Sequence, residues 1–292
     1  QELSNYYDGE ISELNFAFSG VYQEKLHVGA GLNFYDISFS QQTVLRETNN
    51  DGNDNTLNSR FYQENFTNGV GFSLSAGFIY KPTNTFRFGL SYQSPTWFTE
   101  IIENTNIINN DGFFGDTEIE VSNSDVIYDN TFGGNLPIQE LLYKLRTPSK
   151  ITASTAIIFG KVGLISFDYS TNNYKGLYLS GDDFSQENLF FDNQLRRADA
   201  MRFGTEWRIN NLSVRGGYVF EQSPFINSIS SDNLESYSLG LGYNFGTVKL
   251  NLSYRKSNKT DQYDFYPQYS EVEATQLNIN NTIITIGFSA NI

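Results

Sequence analysis

The chain has 292 residues, with 19 Lys and Arg against 33 Asp and Glu, a formal charge of −14, one His and no Cys. The lack of cysteine removes a disulfide framework, a thiolate metal site and a Cys nucleophile, and any histidine-centred metal or catalytic relay would rest on His27 alone. The acidic balance argues against nucleic acid, and no stretch approaches about 18 uninterrupted apolar residues, so helical membrane spans are out.

Aromatics make up 16 % of the chain, with 25 Phe and 19 Tyr, while helix formers are sparse. The dominant period is two, the mark of strands with one apolar face. In chain order, Leu14, Phe16, Phe18 and Tyr22 pair with Leu26, Ala30, Leu32 and Phe34 across Gln23-Glu24-Lys25. Leu74, Ala76, Phe78 and Tyr80 share a face, and Phe86, Phe88, Leu90 and Tyr92 return after a five-residue loop that sets Tyr80 opposite Phe86. Ile157 and Phe159 lead through Gly160-Lys161-Val162 to Ile165, Phe167 and Tyr169. Only a three-residue, Gly-containing bulged turn keeps those faces together. Met201, Phe203, Thr205, Trp207 and Ile209 turn at Asn210-Asn211 into Leu212, Val214, Gly216, Tyr218 and Phe220. Tyr237 to Phe245 turn at Gly246-Thr247 into Val248, Leu250, Leu252 and Tyr254, and the last strand carries Ile284, Ile286, Phe288, Ala290 and Ile292.

This gives about eleven strands, most of roughly ten residues. The alternation suits a soluble sandwich or a transmembrane barrel, and the connections decide between them. Turns of two to five residues alternate with long connections near 40–69, 95–149, 170–200, 221–236 and 256–281. Outer-membrane barrels sort their loops in this way, short on the periplasmic side and long outside. The expected fold class is therefore all-β, a transmembrane antiparallel β-barrel. With the short turns periplasmic, the first and last strands both run downward and the strand count is odd, whereas bacterial single-chain barrels normally have an even number. No signal peptide opens the sequence at Gln1. The expectation is that residues 1–292 are the C-terminal portion of a longer barrel whose N-terminal segment and first strands lie upstream.

Five short stretches bear on family membership. They are Gly89-Leu90-Ser91-Tyr92-Gln93-Ser94-Pro95, Arg146-Thr147-Pro148-Ser149-Lys150-Ile151, Gly204-Thr205-Glu206-Trp207, Val214-Arg215-Gly216-Gly217-Tyr218, and Tyr237-Ser238-Leu239-Gly240-Leu241-Gly242-Tyr243. Together they resemble the FadL/TodX outer-membrane transport family, and most of all its Bacteroidota branch, the hemin-receptor-like or aromatic-hydrocarbon type. The resemblance covers nearly the whole chain. It implies a fourteen-stranded barrel with an N-terminal hatch in its lumen, placed in the cell outer membrane and moving long-chain fatty acids or other hydrophobic molecules. If the present strands are the fourth to the fourteenth, the connections 40–69 and 95–149 fall where that family forms its outer capture groove. The hatch has no counterpart in these residues.

A transporter of apolar molecules needs apolar side chains held where they can bury the ligand. Loop 95–149 offers Trp97, Phe98, Ile101, Ile102, Phe113, Phe114, Leu141 and Leu142, and loop 40–69 offers Phe61, Tyr62 and Phe66. Those residues form either a ligand groove or a self-packed roof. Ile138, Leu141, Leu142 and Leu145 have the spacing of a short amphipathic helix begun near Pro137. The segment Phe184 to Leu195, with Leu189, Phe190 and Phe191, reads as packing. Inward charges comprise Arg87, Asp168, Arg202, Glu206, Arg208 and Arg215, with Glu206 set opposite Arg215. An arginine there can hold a fatty-acid carboxylate, or the group can form a structural ion-pair network.

The run Asn49-Asn50-Asp51-Gly52-Asn53-Asp54-Asn55 lacks the distal Glu of a calcium loop and reads as polar surface. Glu118/Glu120 and Glu271/Glu273 read as solvated charges, and His27 as a solvated or inward-facing residue. No catalytic set, cofactor or metal is expected. The expected partners are outer-membrane lipid, a hydrophobic small molecule and, in an alternative reading, other outer-membrane proteins gripped by the long loops of a barrel used as scaffold for secretion or surface attachment. A polar porin would instead require an open, charge-lined aqueous lumen.

Overall fold

The computed structural model describes residues 2–50, 56–114, 117–120, 138–263 and 274–290. The strands are β1 (Glu2–Tyr22), β2 (Leu26–Asn50), β3 (Thr56–Tyr80), β4 (Phe86–Gln93), β5 (Trp97–Phe114), β6 (Thr117–Glu120), β7 (Ile138–Arg146), β8 (Lys150–Phe159), β9 (Gly163–Asn173), β10 (Tyr178–Ser180), β11 (Arg197–Ile209), β12 (Leu212–Glu221), β13 (Leu234–Asn244), β14 (Val248–Tyr263) and β15 (Thr275–Ala290). One helix, α1 (Ser185–Gln194), lies between β10 and β11.

All fifteen strands described belong to one sheet, and the pairings are antiparallel. Eleven of them form a continuous wall in the order β1-β2-β3-β4-β8-β9-β11-β12-β13-β14-β15. Among the described residues the sheet does not close, since β1 pairs only β2 and β15 pairs only β14. The other strands heighten the wall. β3 pairs β4 over Ser75–Tyr80 and then β5 over 57–72, while β7 follows β5 and β10 follows β7. So β4 and β5 are one line interrupted at Ser94–Thr96, and β7 and β8 are one line interrupted at Thr147–Ser149. Pro95 and Pro148 sit in those interruptions and have no N–H for a ladder. Hydroxyls fill in: Leu74 N donates to Ser94 Oγ at 2.8 Å, and Thr96 N donates to Thr147 Oγ1 at 2.9 Å.

The sheet is apolar on the wrong side for a soluble protein. The buried apolar side chains described are Ile101, Leu195, Ala198 and Ala200, whereas Asn33, Ser73 and Ser170 are among the buried polar ones. The Phe, Leu and Ile of the period-two pattern point outward, with Phe18 80 % exposed and Ile286 73 %. An apolar belt this continuous requires an apolar covering, and only closed strand structures and helices satisfy their backbone in one. The belt has an upper edge. On paired rows of β13, β14 and β15 the outward residues run Leu241/Leu252/Ile286, Leu239/Tyr254/Ile284, Tyr237/Lys256/Thr282 and Glu235/Asn258/Asn280. On β1 and β2 the change falls between Leu14/Phe34 and Ser12/Asp36. This is the all-β fold of transmembrane antiparallel barrels.

The short turns gather at one end of the wall. Gln23 and Glu24 adopt positive φ in the three-residue turn, as do Gly160 (58°) and Asn210 (52°) in theirs. The Gly160-Lys161-Val162 turn sets Phe159 against Gly163 and Ile157 against Ile165, as expected. One register differs. Tyr80 pairs Phe88, not Phe86, so the β3–β4 connection takes up two more residues. Thr83 Oγ1 accepts from the N–H of both Thr85 and Phe86, and Lys81 N donates to Lys25 O of the neighbouring turn, which holds those residues off the ladder.

The opposite end departs most from expectation. The stretch 40–69 is largely strand: β2 and β3 stay paired from Leu26↔Tyr80 up to Asn50↔Thr56. The hairpin rises about 45 Å beyond the Asp36 row. Above the belt both faces meet water, so the apolar period vanishes while the hydrogen-bond ladder continues. Cross-strand polar pairs replace it, such as Gln42 Nε2 donating to Glu64 Oε1 at 3.0 Å and Thr48 Oγ1 donating to Asn58 Oδ1 at 2.8 Å. The stretch 95–149 carries β5, β6 and β7, so the helix expected from Ile138 to Leu145 is a strand. Partners on both sides, β5 and β10, supply the ladder that overrides the helical spacing. Strand also occupies the ends of 256–281, to Tyr263 and from Thr275, and the connection after β12 runs over 222–233. Asp51–Asn55, Pro137, Glu271 and Glu273 lie outside the described residues.

Candidate functional site: the inner wall

Inward-facing side chains form two zones. The lower zone is polar. Asn15 Nδ2 donates to Asn33 Oδ1, Asn33 Nδ2 donates to Ser73 Oγ at 3.1 Å, and Tyr35 shares a 3.3 Å hydrogen bond with Ser73 Oγ. Gln93 Nε2 extends the chain to Tyr35 Oη at 3.5 Å, so one network crosses β1, β2, β3 and β4. Farther round, Arg202 Nη1 donates to the buried Ser170 Oγ at 3.1 Å and Arg202 Nη2 to Glu221. Towards the short turns, Glu206 accepts from Arg215 Nε at 2.9 Å and from Arg208 Nε at 2.7 Å, and Arg215 Nη1 donates to Asn251 Oδ1 at 2.9 Å.

Of the expected inward charges, Arg202, Glu206, Arg208 and Arg215 are thus mutually engaged or paired with Glu221. Arg87 faces inward opposite Ala156, and Asp168 opposite Arg202 and Ser154; neither makes an ion pair among the described residues. His27 also points inward, beside a hollow of about 460 Å³ bordered by Gly29, Gly77 and Gly89, and its Nε2 is buried without a partner among the described residues.

The upper zone is apolar. Ile101, on β5, is 2 % exposed and lies across Gly69, where a Cβ would meet Ile101 at 3.0 Å and Ile37 at 3.2 Å. Phe98 lies across Gly71, whose added Cβ would meet its ring at 2.7 Å. Tyr35 faces the same ring at 6.4 Å between centroids. The two glycines therefore create the shallow floor on which Phe98 and Ile101 rest. Next along the wall, Tyr143 OH donates to Glu103 Oε2 at 3.1 Å and packs against Phe184 at 5.6 Å. Burial, together with the adjacent Glu103 charge and its hydrogen bond, pushes the Tyr143 phenol up to about 12.

The wall divides the expected groove residues between its faces. Phe98, Ile101 and Leu141 share the inner face by register, with Gly71, Gly69 and Glu103 as partners. Trp97, Ile102, Leu142, Phe66 and Tyr62 share the outer face; Trp97 packs on Phe72 at 5.3 Å, and Leu142 is exposed. Phe61, Phe113 and Phe114 have strand positions, paired with Asn110, Asn58 and Leu57, and their side chains lie outside the described ones. Tyr35, Ile37 and Tyr143 are inner-face residues that the spacing did not single out. The readable signal was Gly69-Val70-Gly71, a pair of small residues two apart in a strand of large ones.

Helix α1 packs less than expected. Leu189 and Phe190 are exposed, no residue of the helix is buried, and Leu195 just after it is. It is fastened by Asn188, whose Nδ2 donates to Leu179 O and whose Oδ1 accepts from Leu179 N, both at 2.9 Å. The amide thus stands in for a neighbouring strand on the free edge of β10.

No family model and no curated relative matches this sequence. Solved structures do. A Pseudomonas aeruginosa FadL homologue aligns at TM-score 0.62 and 14 % identity, covering 97 % of this chain and 67 % of that one. The Ralstonia pickettii toluene transporter TbuX aligns at TM-score 0.55 and 15 % identity, covering 98 % and 69 %. BauA, the ferric preacinetobactin receptor of Acinetobacter baumannii, aligns at TM-score 0.53 and 11 % identity, but this chain covers only 43 % of it. The β-barrel fold of this chain is thus shared with FadL-type transporters.

Proposed function

We propose that the protein is an outer-membrane transporter of hydrophobic small molecules, long-chain fatty acids or aromatic hydrocarbons, and not an enzyme. The observation that carries this is the inner apolar zone of Tyr35, Ile37, Phe98 and Ile101 directly above a polar, hydrogen-bonded zone. An apolar guest gains free energy by leaving water for the upper zone, at about 25 cal/mol per Å² buried. The network below offers it no such gain, which makes the upper zone the capture site and the lower wall part of an obstructed lumen. The likeness in fold to TbuX and to a FadL homologue supports this reading. So do the short stretches that resemble the Bacteroidota branch, to which we assign the chain.

Because Arg202, Arg208 and Arg215 already have carboxylate partners and Arg87 lies by the short β3–β4 connection, away from the upper zone, recognition rests on apolar burial and suits a neutral hydrocarbon as well as an acyl tail. The ligand set we assign is Phe98 and Leu141 on the inner face, resting on the buried Ile101, to which we add Phe61, Phe113 and Phe114 from their sequence positions. Trp97, Ile102, Leu142, Phe66 and Tyr62 line the outer approach. The test is uptake of radiolabelled toluene and oleate by cells expressing the full-length protein, against cells expressing Phe98→Ala. Loss of uptake of either compound in the variant supports the reading; equal uptake by both, at equal surface levels, contradicts it.

A scaffold role in a secretion or attachment complex is the second reading. The tall, polar β2–β3 hairpin favours it. Trimming that hairpin beyond the Arg46/Arg60 row, which leaves Ile37, Phe61, Tyr62, Phe66 and Gly69 in place, separates the two, because a scaffold loses its partner while a transporter keeps its uptake.

A further inference from the structure

A polar pocket of about 410 Å³ opens on the outward face of β13, β14 and β15, not on the inner wall. Its floor is the outward row Glu235/Asn258/Asn280, with Thr260 and Asn278 in the row above. The turn Ser230–Asp232 folds over it, held by hydrogen bonds from Thr260 Oγ1 to Ser231 Oγ at 3.0 Å and to Asp232 Oδ1 at 2.5 Å. Asn258 Oδ1 is buried and has no hydrogen-bond partner among the described residues. A buried, unpaired amide oxygen costs about 1–3 kcal/mol, so a donor supplied from outside would be bound there.

Height decides what that donor is. The floor lies two rows above Tyr254/Ile284, the last apolar row of these two strands, about 13 Å along the strands and about 10 Å along a tilted barrel axis. That is headgroup depth. Between the belt and the floor, Lys256 projects outward in the row Tyr237/Lys256/Thr282 and makes no ion pair among the described residues. A cation at the belt edge with amide, hydroxyl and carboxylate oxygens just above it matches a phosphate attached to a sugar. Sugar hydroxyls can donate to Asn258 and Glu235 and accept from Asn280. A plain phospholipid headgroup would satisfy the lysine and leave the pocket unmatched.

We infer that this pocket binds the phosphorylated sugar headgroup of an outer-leaflet glycolipid, with Lys256 holding the phosphate and Asn258, Asn280 and Glu235 the sugar. The inference rests on the membrane placement proposed above, though not on transport.

The experiment is native mass spectrometry of the full-length protein in detergent, with lipid A (a diphosphorylated glucosamine-disaccharide lipid) or phosphatidylglycerol added, and glucosamine 6-phosphate as a soluble competitor. Expected are lipid A adducts that fall about tenfold in Lys256→Gln and in Asn258→Leu, with phosphatidylglycerol adducts lowered only in Lys256→Gln and unchanged in Asn258→Leu. Should Asn258→Leu fail to fold, judged by heat-modifiable migration, Asn280→Ala takes its place. Displacement of lipid A by the free sugar phosphate would support recognition of the headgroup; unchanged lipid A adducts in the variants, or an equal fall for phosphatidylglycerol in Asn258→Leu, would each overturn the inference alone. Absence of every lipid adduct would instead overturn the membrane placement, and this inference with it.

Discussion

Glu206 stands directly across the β11–β12 ladder from Arg215, and its Oε2 accepts a hydrogen bond from Arg215 Nε at 2.9 Å. The two-residue Asn210-Asn211 turn fixes this pairing, with Asn210 in the left-handed region at φ 52°. Arg215 also reaches Asn251 on β14, so one side chain ties β11 to β14 across two strands. The guanidinium is 41 % exposed, so water screens part of the attraction. Arg215→Ala is expected to destabilise the barrel by about 1 kcal/mol while leaving hydrophobic uptake unchanged. Thermal unfolding in detergent and an uptake assay check both halves. Loss of uptake without loss of stability would make Arg215 a ligand contact instead.

Phe98 and Ile101 share an inner patch but differ in accessibility, and the difference predicts distinct phenotypes. Ile101 is 2 % exposed and cannot meet a guest without rearrangement. Ile101→Ala should therefore act through packing, lowering stability by about 2–5 kcal/mol. Phe98 is only partly buried, and Phe98→Ala should weaken binding of a hydrophobic probe about tenfold with a smaller effect on unfolding. Equilibrium binding of a fluorescent fatty acid, read beside melting curves, separates the two.

The wall was legible in the sequence because each belt strand carries its own record of inside and outside. Met201 to Ile209 and Leu212 to Phe220 alternate without a slip, and the structure pairs them as the spacing requires. Above the belt that record ends. From Ser38 to Asn50 both faces are wet, so nothing in the spacing distinguishes a strand from a loop, and only the partner strand reveals the ladder. The spacing of Ile138, Leu141, Leu142 and Leu145 misled for a related reason. It fits a helix, yet β5 offers a row of backbone partners that a local pattern cannot reveal. Glu206 opposite Arg215 was readable because a two-residue turn leaves one register. Tyr35 facing Phe98 was not, because β2 and β5 are separated by all of β3.

Gly160 tests backbone strain free of steric clash. Its φ is +58° and nothing among the described residues lies within 4 Å of an added Cβ. Gly160→Ala should cost about 1–2 kcal/mol from the left-handed conformation alone, and Gly160→Asn distinctly less. Chemical unfolding of the two variants in parallel measures the difference.

Tyr143 gives a prediction in alkali. Its folded pKa, about 12, is raised above the ordinary 10.0, so the fold favours the neutral phenol. The stabilisation linked to it is full below pH 10 and is lost as the pH rises through 12. Absorbance titration of the phenolates should lose one late-titrating component in Tyr143→Phe. Glu103→Gln should move that titration to lower pH, because the neighbouring charge is removed.

The belt itself predicts that charge is harmful where a soluble protein would tolerate it. Leu241 is 50 % exposed in the middle of the outward face of β13. Leu241→Arg should destabilise the barrel by about 2–4 kcal/mol in a bilayer, and Glu235→Arg, above the belt, by about 1 kcal/mol or less.

The central claim is that the outward aromatic face is covered by lipid tails, and Trp207 reports on it directly. It projects outward from β11, stacked on Phe159 at 5.5 Å, and Trp97 is the other tryptophan of the chain. In the full-length protein with Trp97 replaced by Phe and any tryptophan outside these 292 residues also replaced, reconstituted in bilayers whose acyl chains carry bromine, the fluorescence of Trp207 should be strongly quenched relative to unbrominated bilayers. Unquenched fluorescence that responds instead to aqueous iodide would show that the belt meets water, and would contradict the account.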